Sequence, residues 1–133
     1  MSERKSTILL VDDEELPLML RKLVLEKHDY GVITATSAAQ AIQILKTNPV
    51  DLVLTDQLMP GGTGTDLARE IRQLRLELPV VLLSGVNEIP HDAQAADLFI
   101  SKIEGPEVLC EKIGVLLKRA AGGLHSNSAS CQL

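Results

Sequence analysis

With 133 residues, 45% of them apolar, and a net charge of −5 at neutral pH, the chain has the size of one domain with a proper core. The charge argues against a nucleic-acid surface, which shows a basic patch. No stretch approaches the ~20 apolar residues that a membrane-spanning helix needs, so no membrane insertion is expected.

Ile8–Val11 is a continuous aliphatic run, the pattern of a strand buried on both faces. It runs straight into four acidic residues, Asp12–Glu15. Carboxylates crowded together raise each other's pKa unless a cation sits among them. Either these side chains splay into water or two of them hold a metal ion. Pro17 suits a first helical turn, and Leu20, Leu23, Val24 and Lys27 continue a helix that HDYG (28–31) stops. Val32–Ala35 reads as the second strand. Ser37 and Gln40 have the spacing of a capping box, opening a helix with Ala38, Ala41, Ile42 and Leu45 on one face. Asn48-Pro49 ends it.

VDLVLTD (50–56) is the third strand, again ending in a carboxylate, Asp56. QLMPGGTG (57–64) reads as a loop by its proline and glycines. A helix is predicted over Asp66–Leu76, with Leu67, Ile71 and Leu74 spaced for burial. PVVLLSG (79–85) is the fourth strand and DLFISK (97–102) the fifth. Pro106 begins a last helix with Leu109, Ile113, Leu116 and Leu117 inward. The boundaries predicted are a domain over 6–120 and a flexible tail over 121–133. Tyr30 and Phe99 are the only aromatics, so the core should be aliphatic. Cys110 and Cys131 lack framework spacing, and Met1–Lys5 lacks a signal-peptide pattern; a reduced, cytoplasmic protein is the expectation.

Five strands alternating with helices form a (βα)5 pattern, an α/β class in which right-handed crossovers place helices on both faces of a parallel sheet. Ligands of such open sheets bind outside the carboxyl ends of the strands. Those ends carry Asp12 and Asp13, Asp56, Ser84 and Lys102. An oxygen-rich set of this kind suits Mg²⁺. The glycines at 61, 62 and 64 resemble a phosphate cradle, but the Gly-Lys-Ser/Thr that would complete it is missing. His28, His91 and His125 lack metal-ligand spacing. A lone pair of acids after a strand is more often a solvated turn; only the ordered set carries weight.

On VDDEE (11–15), LTDQLMPGGTG (54–64), LLSG (82–85) and FISK (99–102), the chain resembles a response-regulator receiver domain of two-component signalling over about residues 6–120. The resemblance implies a flavodoxin-like, doubly wound five-stranded sheet in order 2-1-3-4-5. It makes Asp56 the phosphoacceptor, with Mg²⁺ (or Mn²⁺) held by Asp13, Asp56 and the Leu58 backbone carbonyl, and by Asp12 through water. Lys102 and Ser84 would meet phosphoryl oxygens, small Gly85 would leave them room, and Ser84 and Phe99 would report the change as switch residues. The partners implied are a histidine kinase or phosphotransfer protein, and a downstream protein or covalently linked output domain. No direct nucleic-acid binding is expected. Catalysis would extend at most to the domain's own phosphorylation and dephosphorylation.

The chain departs from the family in two places. Ile103 stands where a proline commonly follows the active lysine. A cis bond before a non-proline residue costs about 2.5–4 kcal/mol, so the expectation is a trans bond, or else a strained one held by the site, with somewhat altered placement of Lys102. Ser84 to Lys102 spans 18 positions, about one helical turn short of the usual span. A shortened helix 4, at most Asp92–Asp97, is expected there. The competing readings are a pseudo-receiver that binds protein without phosphorylation, and a phosphohydrolase. The second would want an acid two residues past Asp56, where Leu58 stands.

Overall fold

The structure, a computed structural model, describes residues 5–59, 62–75, 77–85 and 96–123. Thr7–Val11 forms β1, Glu15–Lys27 α1, Gly31–Ala35 β2, Ala38–Thr47 α2 and Leu52–Asp56 β3. Leu58–Met59 (β4) and Gly62–Thr63 (β5) follow, then Gly64–Leu74 (α3), Val80–Ser84 (β6), Leu98–Ser101 (β7) and Pro106–Gly123 (α4). The main sheet runs β2-β1-β3-β6-β7 with every pairing parallel. Numbered among themselves, its five strands stand in order 2-1-3-4-5, as expected.

The aliphatic runs explain why β1 and β3 lie in the middle. Successive side chains of a strand point to opposite faces, so a strand apolar at every position needs cover on both sides. Ile8 and Leu10 pack in one layer with Leu18 and Leu25 of α1 and Ile113 of α4. Leu9 and Val11 pack in the other with Ile42 of α2 and Ile71 of α3. All of these except Leu18 and Ile42 are at most 1% exposed, and burying each such side chain stabilises the fold by roughly 1.5–3 kcal/mol.

The helix signals come out as expected in kind and shifted in detail. Ser37 caps α2 by accepting from Gln40 N at 3.1 Å. The return half of the box is displaced: Gln40 Oε1 accepts from Thr36 N at 2.8 Å. α3 begins at Gly64 rather than Asp66, because Thr63 is its cap. Thr63 Oγ1 accepts from Asp66 N at 3.1 Å, and Asp66 Oδ2 accepts from Thr63 N at 3.3 Å. Ala68 is buried beside Leu67 and Ile71, and Leu74, at the last turn of α3, is 45% exposed, against the expectation. The stretch read as a loop pairs with itself, Leu58 opposite Thr63 and Met59 opposite Gly62. Leu109 and Ile113 are buried and Leu116 and Leu117 pack against the same layer.

No peptide bond among the described residues is cis, so Lys102–Ile103 is trans as expected. The expected short helix 4 falls almost wholly on residues 86–95, outside the described residues, as do His91, His125 and the chain after Gly123. No helix among the described residues is long and apolar enough to cross a membrane.

Candidate acidic site at the carboxyl edge of the sheet

The sheet places the site residues through its backbone. Asp12 is the first residue past β1, and its N–H donates to Ala35 O at 3.1 Å, carrying the β1–β2 ladder one step on. Asp56 closes β3 opposite Leu83 of β6, and Gln57 N donates to Leu83 O at 2.9 Å. Ser84 closes β6, and Lys102 N donates to Ser84 O at 2.8 Å just after β7. Four predicted side chains thus emerge from one edge on rigid strands, which hold them more exactly than loops would.

Oxygens of Asp12, Asp13 and Asp56 lie within 4.8 Å of one another. Asp12 is 2% exposed, Asp56 5% and Ser84 6%, and Asp13 is the most accessible of the three acids. Lys102 Nζ approaches Asp56 Oδ1 to 2.6 Å. Apart from that ammonium contact, the buried Oδ1 accepts no hydrogen bond. Burial pushes the Asp56 carboxyl above its ordinary range; Lys102 draws it back, Asp12 pushes it further up, and Arg21 lowers it. Desolvation outweighs even a close ammonium here, because Asp56 is almost wholly withdrawn from water.

A donor set made only of oxygens, with one buried oxygen short of hydrogen bonds, fits a hard divalent cation. A softer ion would want sulfur or imidazole, and none stands among these ligands. Leu58 lies two residues past Asp56 in β4 with its side chain 52% exposed. Phe99 sits half-buried on the edge strand β7, level with Leu82 of β6.

Two contributors escape sequence reasoning. Arg21 of α1 donates to Asp12 Oδ2 at 2.7 Å, a second cation beside Lys102. Gln57, 5% exposed, accepts at Oε1 from both Thr65 N and Thr65 Oγ1 at 3.0 Å, tying the start of α3 to the end of β3.

Residues 8–114 match the response regulator receiver domain family. The chain belongs to that family. Among related receivers, the transcriptional regulatory protein GlrR of Escherichia coli K12 is 34% identical over 126 residues, covering 91% of this chain and 28% of GlrR. The autoinducer 1 sensor kinase/phosphatase LuxN of Vibrio campbellii is 33% identical over 130 residues, covering 98% of this chain and 15% of LuxN. The chain therefore spans a minor part of either relative. The response regulator TrrA of Thermotoga maritima, solved in complex with Mg²⁺–BeF, matches with a TM-score of 0.78 at 32% identity. That match covers 84% of this chain and 98% of TrrA. The receiver thus has the family's fold and an acidic pocket of Asp12, Asp13 and Asp56 able to hold a metal.

Proposed function

We propose that this receiver accepts a phosphoryl group on Asp56 from a histidine kinase or phosphotransfer protein, with Mg²⁺ (or Mn²⁺) at the acidic triad. The observation that carries this is the Asp56 carboxylate, buried at a strand end between two further acids and an ammonium at 2.6 Å. A carboxylate is a weak nucleophile facing anionic oxygens, so catalysis must come from placement and charge neutralisation. Asp56 forms the new P–O bond while the P–N bond to the donor imidazole breaks, and the imidazole leaves with the bond's electron pair. Lys102 pairs with one phosphoryl oxygen and the Ser84 hydroxyl donates to another. Asp13, Asp56 and the Leu58 carbonyl would hold the cation, with Asp12 reaching it through water. When bound, the cation neutralises phosphoryl oxygens; the TrrA complex with Mg²⁺–BeF supports the same ion here.

The receiver unit in this reading is residues 6–120, with α4 running three residues past that bound to Gly123, and it acts in the cytoplasm, where a kinase finds its ATP. Ser84 and Phe99, on neighbouring strands, carry the change outward as a population shift. The output is a downstream protein or a linked domain. Leu16, Met19, Leu20 and Leu23 leave more than half of their surface exposed on α1 beside the site. Such an apolar face supports docking of a donor over Asp56.

Intact-protein mass after incubation with acetyl phosphate and Mg²⁺ tests the reading. One phosphoryl group should add to the wild-type chain and none to Asp56→Asn or in the presence of chelator. A folded, Mg²⁺-binding chain that gains nothing from a small donor or from a kinase would instead be a protein-binding pseudo-receiver.

A further inference from the structure

We propose that Arg21 is a resident counter-ion of the acidic site, a positioning residue that orients Asp12 and competes with the divalent cation for its charge. This rests on the metal reading above. Arg21 lies two turns into α1, and helical side chains slope back toward the N-terminus. Its guanidinium therefore reaches the edge of the sheet from which β1 releases Asp12. Asp12 Oδ2 accepts from Arg21 at 2.7 Å and Oδ1 accepts from Glu14 N at 3.0 Å, so both oxygens are engaged before any metal arrives. The pair is well shielded, with the Arg21 side chain 22% exposed and that of Asp12 3%. Coulombic attraction at such a site is stronger than at an exposed pair.

Asp56 has Lys102 in the same way. Among the described residues, three carboxylates thus face two cations, and an incoming divalent ion meets roughly one uncompensated negative charge where without Arg21 it would meet two. Two consequences follow from that arithmetic. The fold tolerates an empty site, because its deepest carboxylate is already paired. Metal affinity is held down, because the ion gains less from Asp12 than a bare carboxylate would offer. Asp12 is also fixed in orientation by the hydrogen bonds at its two oxygens.

Calorimetric titration of Mg²⁺ into wild type, Arg21→Met and Arg21→Lys tests this without any phosphoryl transfer. Methionine keeps most of the apolar stem that arginine packs, so the change isolates the charge. Arg21→Met should bind Mg²⁺ roughly tenfold more tightly, and Arg21→Lys about two- to threefold more tightly, its point charge pairing less well. In an Asp12→Asn background the Arg21→Met effect should largely vanish, as coupled partners require. Unchanged or weaker affinity in folded Arg21→Met overturns the proposal. If that variant does not fold without metal, unchanged affinity in Arg21→Lys does so. Absence of Mg²⁺ binding in every chain, wild type included, overturns the metal reading itself, a distinct failure.

Discussion

Replacing Gly64 with alanine should destabilise the receiver by about 2–3 kcal/mol, the upper part of the range for overpacking a tight interior, and should slow phosphorylation of Asp56. A Cβ at this position would lie 2.5 Å from the Asp56 carbonyl oxygen and 2.6 Å from Leu82 Cδ2. Leu82 can turn aside; the carbonyl cannot. Asp56 is held in the β3–β6 ladder opposite Leu83, and Thr55 Oγ1 donates to the same carbonyl at 3.1 Å. Gly64 N itself donates to Gln57 O at 2.8 Å, so α3 cannot retreat without breaking its link to the end of β3. The strain must move either the strand end that presents the phosphoacceptor or the first turn of α3. Thermal unfolding should show a midpoint lowered by roughly 10 °C for a chain of this size. A midpoint within about 2 °C of wild type would mean that the approach of α3 to Asp56 is looser than described.

Asp56→Asn should act in the opposite direction on stability. In the metal-free protein at neutral pH it should raise the unfolding free energy, because a neutral amide replaces a buried carboxylate whose charged form is penalised by desolvation. Burial holds the folded Asp56 carboxyl above its usual range, with Asp12 adding to the rise and Lys102 and Arg21 opposing it. A carboxyl whose folded pKa is raised favours the native state while protonated. That contribution is complete below the unfolded value near 3.9 and is lost as pH climbs through the raised folded value. At neutral pH the wild type therefore carries an ionised, desolvated group that asparagine removes. Unfolding in chelator between about pH 4 and pH 8 checks the sign. The advantage of Asn should be largest at the alkaline end and shrink toward pH 4, and added Mg²⁺ should stabilise wild type much more than the variant. A variant less stable than wild type at pH 7, or a gap independent of pH, would contradict the account.

The parts of the site that sequence reveals are those governed by strand logic. Ile8–Val11 and Leu52–Leu54 are apolar at every position, which requires two covered faces and hence central strands. Once the strands are parallel, whatever follows each run must gather at one edge, and Asp12, Asp56, Ser84 and Lys102 do so. The α3 cap has a sequence signature too, since Thr63 and Asp66 have capping-box spacing. The glycines at 61, 62 and 64 mask that helix start in the sequence, and Leu74 lies exposed in the last turn of α3, where leucine spacing alone cannot tell whether a neighbour covers it. Arg21 has no such signature. Its partner is nine positions away, and the pairing depends on how α1 lies over the end of β1, which tertiary packing decides. The self-pairing of Leu58–Met59 with Gly62–Thr63 is short enough that no alternation marks it.

Phosphorylation of Asp56 makes a mixed carboxylic–phosphoric anhydride, and chemical trapping reads it most directly. After treatment with acetyl phosphate and Mg²⁺, borohydride should reduce the acyl phosphate, and peptide mass mapping should then locate the reduced residue. Homoserine is expected at position 56, absent when the phosphodonor is omitted or chelator is present. Reduction at another acid, or a phosphoryl group retained by the Asp56→Asn chain, would contradict it.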